Sequence, residues 1–132
     1  MMMKKGVDKK TVEKIVATYK EAWENQDPEL ILTIFEEEAT YQEGPFAAKL
    51  SGHSAIKTYW ERKVVSEQKN IRFELKRILV DGYSSVVEWN AEFDDTVANE
   101  HVFLYEVAFL EIHNGKISSL REIWKSKRTP LS

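Results

Sequence analysis

The chain contains no cysteine, which excludes disulfides and thiolate metal sites and leaves stability to packing alone. That absence suits a reducing compartment such as the cytoplasm, where the protein is expected to reside. Three prolines and five glycines leave no proline-rich linker and no low-complexity segment. No apolar run approaches the ~18 residues that a membrane span requires. The opening Met1-Met2-Met3-Lys4-Lys5 has no apolar stretch behind it, unlike a signal peptide. A block of one charge is missing too: 19 basic and 22 acidic residues give a net charge of −3, spread along the chain. Nucleic-acid binding normally needs a basic stripe, and none is visible. What is abundant is aromatic. Four Trp, five Tyr and six Phe point to a well-packed interior or an aromatic-lined cavity. A length of 132 residues fits one domain, residues 1–132 with a core at about 8–126, and can bury about two thirds of its unfolded surface.

The first third reads as helix. Asp8 can cap a segment whose apolar residues are Val12, Ile15, Val16, Tyr19, Ala22 and Trp23, one stripe of an amphipathic helix ending near Asn25-Gln26. Asp27-Pro28-Glu29 restarts a helix, with Asp as cap, Pro in the first turn and a carboxylate at the positive end. Leu30, Ile31, Ile34 and Phe35 supply its buried face. A short strand, Ala39 to Glu43, follows and turns at Gly44-Pro45. Ser51-Gly52 opens a third helix carrying Ile56, Tyr59, Trp60, Lys63 and Val64. Lys63 falls on its stripe, where the methylene stem can lie along the surface.

From Asn70 the period changes to two. Ile71, Phe73 and Leu75 alternate with charged neighbours, then the phase slips to Ile78 and Val80, as a bulge near Lys76-Arg77 would cause. Val87, Trp89, Ala91 and Phe93 alternate again. Val102 to Ile112 is apolar on both faces and reads as a central strand. Asn114-Gly115 marks a tight hairpin, Ile117 to Lys125 the returning strand, and Lys127 to Ser132 a tail. Helices first and antiparallel strands after predict an α+β domain: three helices in the concave face of a strongly curved sheet.

Several runs carry a family likeness. Tyr19-Lys20-Glu21-Ala22-Trp23-Glu24-Asn25-Gln26-Asp27-Pro28-Glu29, the step Ile34-Phe35 to Ala39-Thr40-Tyr41, Gly52-His53-Ser54-Ala55-Ile56, and Asn114-Gly115-Lys116-Ile117 with Arg121-Glu122-Ile123-Trp124 occur in order. Together, from about Val12 to Trp124, they resemble the nuclear transport factor 2-like, SnoaL-like superfamily with the ketosteroid isomerase-like fold. The resemblance implies a cone-shaped α+β barrel with a ligand pocket and, commonly, a homodimer. It does not imply one reaction, because the fold hosts isomerases, dehydratases, cyclases, epoxide hydrolases and binding modules.

The likeness to ketosteroid isomerases implies roles residue by residue. Their pocket tyrosine falls on Tyr19 and their general base on Glu43, which could take a proton beside a carbonyl while Tyr19 stabilises the oxyanion. Their supporting aromatic on the third helix falls on Trp60, which lacks the phenolic hydroxyl. Their second oxyanion donor, a neutral aspartic acid, falls on Ala108, which can donate nothing. The dehydratases of the fold use deep histidines, and His53, His101 and His113 fall at element ends instead. The epoxide hydrolases use an Asp–Arg–Asp set, for which Arg121 has the wrong parity.

Strand parity adds candidates. If Ala108 faces the pocket, so do Leu104, Glu106, Leu110 and Ile112, and on the last strand Leu120, Glu122 and Trp124. Two inward carboxyls among aromatic residues would have raised pKa values and could serve as general acid and base. The candidate catalytic set is therefore Glu43, Tyr19, Glu106 and Glu122, and the candidate ligand wall is Tyr41, Trp60, Leu104, Ala108, Leu120 and Trp124. The alternatives stay open. Glu43 reads equally as a solvated loop carboxylate, Glu106 and Glu122 as residues of a wet mouth, and Tyr19, Trp23, Tyr59 and Trp60 as plain core. No metal or cofactor is implied. Two functions fit: a cofactor-free acid–base enzyme of isomerase, cyclase or dehydratase type on a small apolar carbonyl compound, or a non-catalytic ligand-binding or dimerisation module. The outer row Phe103, Tyr105, Val107 and Phe109 is apolar enough to predict pairing of two copies.

Overall fold

The computed structural model describes residues 5–131; residues 1–4, which the signal-peptide reading concerns, and Ser132 lie outside the described residues. Helix α1 spans Lys9–Glu24, and the Asp8 carboxylate accepts a hydrogen bond from the Thr11 N–H at 2.8 Å. That bond satisfies one of the N–H groups a helix start leaves open. Val12, Ile15, Val16, Tyr19, Ala22 and Trp23 are all buried, the stripe that the spacing predicts. Gln26 takes a left-handed φ of 53° and donates from Nε2 to the carbonyls of Val64 (2.8 Å) and Gln68 (2.6 Å). These bonds clamp the end of α1 to the segment beyond the third helix.

Helix α2 is short, Pro28–Leu32, capped by Asp27 with Pro28 in its first turn. Ile34 and Phe35 are buried as expected but lie off the helix, a correction to the sequence reading. Phe35 opens strand β1, Phe35–Gln42, and the Ile34 carbonyl accepts from the Ile117 N–H at 2.8 Å. A ladder partner from the far end of the chain has taken this backbone from the helix. A register shift between Phe35 and Thr40 breaks the period of two, which hides the strand's first half in the sequence.

Strand β2, Leu50–Ser51, pairs with β1. Gly52 (φ 88°) turns the chain into α3, His53–Trp60, which continues as a π-helical turn, Glu61–Val65. Four long strands follow: β3 Gln68–Asp81, β4 Ser84–Asp95, β5 Glu100–His113 and β6 Lys116–Pro130. The expected bulge lies between Leu75 and Arg77; Leu75 there is 41% exposed, and Ile78 resumes the buried row. The predicted tail from Lys127 is instead strand as far as Pro130, paired to Glu100–Phe103. Its residues are polar on both faces, so hydropathy gives no sign of a ladder that backbone groups alone sustain.

The six strands form one curled sheet in the order β2-β1-β6-β5-β4-β3. Every neighbouring pair is antiparallel except β1 and β6, which run parallel. The helices pack against the concave side, and the core fills the space between. The architecture is the α+β arrangement that the element order predicts. Among the described residues no helix is long and apolar enough to cross a membrane.

Candidate functional site

Strand β5 pairs with β4 from Glu100 to Glu111 without a register shift, so its alternation there is undisturbed. Val102, Leu104, Glu106, Ala108, Leu110 and Ile112 therefore all point to the concave side. A cavity of about 230 Å³ opens there. Tyr19 and Trp23 reach it from α1, Tyr59 and Trp60 from α3, Tyr41 from β1 and Glu43 from the loop after β1. Leu104 and Glu106 of β5, with Glu122 and Trp124 of β6, complete the wall. Tyr19, Glu43, Glu106 and Glu122 thus border one space, as do Tyr41, Trp60, Leu104 and Trp124.

Ala108 and Leu120 do not. Both are fully buried; Leu120 borders a separate void of about 10 Å³ deeper in the core, and Ala108 lines neither space. Ala108 pairs across the ladder with Glu122 and is wholly buried. The expectation that these two residues form ligand wall is corrected: parity gives the face of a strand but not the depth along it.

The polar groups are closely set. The Tyr19 and Tyr41 hydroxyls lie 3.5 Å apart. The ring of Trp60 stands edge-on to Tyr19 with centroids 5.8 Å apart, and Tyr41 and Tyr59 are 5.5 Å apart. Trp124 donates from Nε1 to the Glu43 carbonyl at 2.9 Å, which ties the Glu43 loop to β6. Trp23 donates to the Gln68 side chain at 2.8 Å. At the rim, Lys63 lies 3.4 Å from Glu67, and Arg128 lies 3.0 Å from Asp95.

Glu106 and Glu122 are each 4% exposed, and Glu106 Oε2 and Glu122 Oε1 have no hydrogen-bond partner. Burial is the main force on both: it disfavours the charged form and pushes both carboxyls up. The Glu122 charge raises Glu106 further, and Glu43 raises both. Glu122 reaches about 7, with hydrogen bonding to Glu106, Tyr41 and Tyr19 holding it from going higher. Both carboxyls accordingly hold their protons to higher pH than an exposed glutamate. Burial also lifts the Tyr19, Tyr41 and Tyr59 phenols above their ordinary range, aided for Tyr59 by the neighbouring Glu43 carboxylate. All three remain neutral hydrogen-bond donors. Trp60 Nε1, itself buried, is a further donor without a partner.

None of the three histidines reaches the cavity. His53 bonds the Phe35 carbonyl, His101 sits between Glu92 and Asp94, and His113 stacks on Tyr83. Arg121 lies outside over the Phe109 ring. The sequence reading missed Ser126 and Arg128, which line the cavity beyond Trp124. They keep the parity of Glu122 and Trp124, so extending the alternation past Lys125 would have found them. Gln68, Glu67 and Asp95 carried no comparable signal.

The model of the SnoaL-like domain family matches residues 16–120. No curated protein matches the chain. Among solved structures, the epoxide hydrolase/cyclase-like enzyme SalBIII of pyran ring formation in the polyether salinomycin is 24% identical, with 89% of this chain and 93% of that chain covered and a TM-score of 0.77. An epoxide hydrolase of Mycobacterium tuberculosis is 16% identical, with 88% and 84% covered and a TM-score of 0.73. A hypothetical protein with a ketosteroid isomerase-like fold from Catenulispora acidiphila, solved with trimethylamine, is 18% identical, with 83% and 84% covered and a TM-score of 0.75. At these identities the likeness is one of fold.

Proposed function

Since the chain belongs to the SnoaL-like domain family, we propose that its cavity binds a small, mostly apolar carbonyl compound and acts on it by cofactor-free acid–base chemistry. The observation that carries this reading is the Glu106–Glu122 pair, two carboxyls with unpartnered oxygens in one aromatic cavity. The ionised member takes a proton from the carbon beside the carbonyl. The C–H electron pair moves into an enolate, whose oxygen accepts hydrogen bonds from Tyr19 and from the protonated carboxyl. In a β,γ-unsaturated carbonyl compound the enolate is a dienolate, and return of the proton to its γ-carbon, with the double bond moved into conjugation, completes an isomerisation. A cavity of about 230 Å³ is smaller than the ~300–1,000 Å³ of drug-sized sites, which favours a compound of one ring over a steroid.

Binding without turnover is the second reading. The lack of a dedicated second donor favours it: Ala108 supplies none, so that oxyanion contact falls to a carboxyl that must itself hold a proton. In both readings the protein pairs through the outer face of the sheet, where Phe103, Tyr105 and Ile123 are exposed together.

The two readings separate by hydrogen exchange. Phenylacetone in D₂O with the protein should lose its α-hydrogens faster than in buffer, and Glu106→Gln and Glu122→Gln should each slow the exchange. Binding of the ketone with exchange no faster than buffer establishes the second reading and refutes the first.

A further inference from the structure

The charges around the cavity do not balance. Glu43, Glu67, Asp95, Glu106 and Glu122 line it, against Lys63 and Arg128. Both cations are already engaged. Lys63 pairs with Glu67 at 3.4 Å, and Arg128 with Asp95 at 3.0 Å and Glu100 at 3.2 Å. Glu43, Glu106 and Glu122 are left without a protein cation among the described residues that line the cavity. The two deepest are also the two with an unpartnered oxygen each. Unpaired carboxylate oxygens in a buried site are costly unless a donor reaches them. Around them stand two ring pairs, Tyr19 with Trp60 and Tyr41 with Tyr59. Aromatic rings attract a cation over their faces, most strongly where water is excluded, and these four border the cavity.

We propose that the ligand of this cavity is a small organic ammonium ion. The claim rests on the cavity being the ligand site, and it deepens that reading: the carbonyl compound carries an amine. The ammonium N–H bonds a free oxygen of the Glu106–Glu122 pair, the positive charge lies beside both carboxyls, and the alkyl arms lie against the rings. An anion would meet three carboxyls, and a neutral molecule without a donor would leave the oxygens unmet. A cavity of about 150 Å³ holds benzene, so about 230 Å³ holds a benzene-sized ring with a short dialkylamino arm. A proton held by the glutamate pair leaves as the ammonium enters. Tyr19, Tyr41 and Tyr59 stay neutral and Arg128 stays charged throughout, so the buried pair Glu106 and Glu122 sets the pH dependence, with Glu43, Glu67, Asp95 and Lys63 as the other charged groups facing the cavity.

The test compares three compounds of one shape by calorimetry and tryptophan fluorescence. N,N-dimethylbenzylammonium is the cation, isobutylbenzene its neutral counterpart and phenylacetate an anionic control. At pH 8 the ammonium should bind roughly tenfold or more tightly than the hydrocarbon, a factor that corresponds to 1.4 kcal/mol, and phenylacetate should bind weakest. The preference should shrink at pH 5.5, and calorimetry at pH 6.5 in buffers of different ionisation heat should show protons released on binding. Glu106→Gln and Glu122→Gln should each reduce the preference of ammonium over hydrocarbon; the wild-type pH comparison stands without them. Equal or tighter binding of the hydrocarbon at pH 8 overturns the charge selection and leaves the cavity as a ligand site. Binding of none of the three overturns both.

Discussion

Replacing Glu122 with glutamine should stabilise the protein at pH 8 and hardly change it at pH 5. In the unfolded chain this carboxyl ionises near its ordinary 4.5, whereas in the folded protein burial holds its proton up to about 7. Between those values the folded state binds more protons than the unfolded one, so stability falls as pH rises. The contribution is whole below the unfolded value and gone above the folded one. At 1.36 kcal/mol per pH unit, the gap from 4.5 to about 7 amounts to about 3 kcal/mol. Full burial means that solvent does little to reduce this figure. Glutamine has nearly the same shape and no charge to lose, so at pH 8 it should recover most of that difference. At pH 5 the carboxyl is protonated and also neutral, and the two side chains should differ by about 1 kcal/mol or less. A domain of this length shifts in Tm by about 3–5 °C per kcal/mol, which sets the expected rise at pH 8 at about 10 °C. Urea titrations at both pH values, read by tryptophan fluorescence, give the free energies directly. A variant less stable than wild type at pH 8, or changed equally at both pH values, would show that Glu122 is compensated in the folded state and refute the reasoning.

Other outcomes follow from the same coordinates. The protein should not turn over a β,γ-unsaturated ketosteroid at the rate of a dedicated isomerase, because Ala108 supplies no donor and the cavity is small for a steroid; turnover at such a rate by purified protein refutes both points. Ala108→Asp should not repair that deficit but cost on the order of 3 kcal/mol, since it buries a third carboxyl beside Glu122; chemical denaturation at pH 7 measures it, and an unchanged midpoint contradicts the placement. Light scattering should give twice the chain mass of 15.4 kDa, with Phe103→Glu and Ile123→Glu together returning it to the monomer value. Asp8→Ala should lower stability by about 1 kcal/mol through loss of the helix cap, and no change in the urea midpoint would deny the bond to Thr11 that role.

Much of this was legible from spacing alone. The α1 stripe needed only a period of 3.6, and the inward face of Glu106 only the unbroken alternation of β5. Tyr59 was not legible as cavity wall, because composition cannot tell a ring that packs on protein from one that faces a hollow. The first half of β1 was hidden by an irregular register, and the end of β6 by polar residues on both faces. Both owe their structure to a distant backbone partner, which no local window contains. Ala108 shows the complementary limit, since alternation places it on the correct face and says nothing of the layer below the cavity floor.

The parallel pairing of β1 with β6 has a consequence for the order of folding. Strands β3 to β6 are joined in sequence by tight turns and can zip one after another, each contact closing a short loop. Strand β1 has no partner but the short β2 until β6 exists, and its Tyr41 lies in register with Leu120, nearly eighty residues on. A chain leaving the ribosome at ~5–20 residues per second therefore holds Tyr19, Tyr41 and Glu43 for several seconds before Glu122 is synthesised. Glu122 and the phenols can meet only once β6 has been made. Assembly of the cavity is thus a late event by construction, and a chain stopped before β6 would carry all the aromatic residues of the wall but Trp124 with no site to put them in.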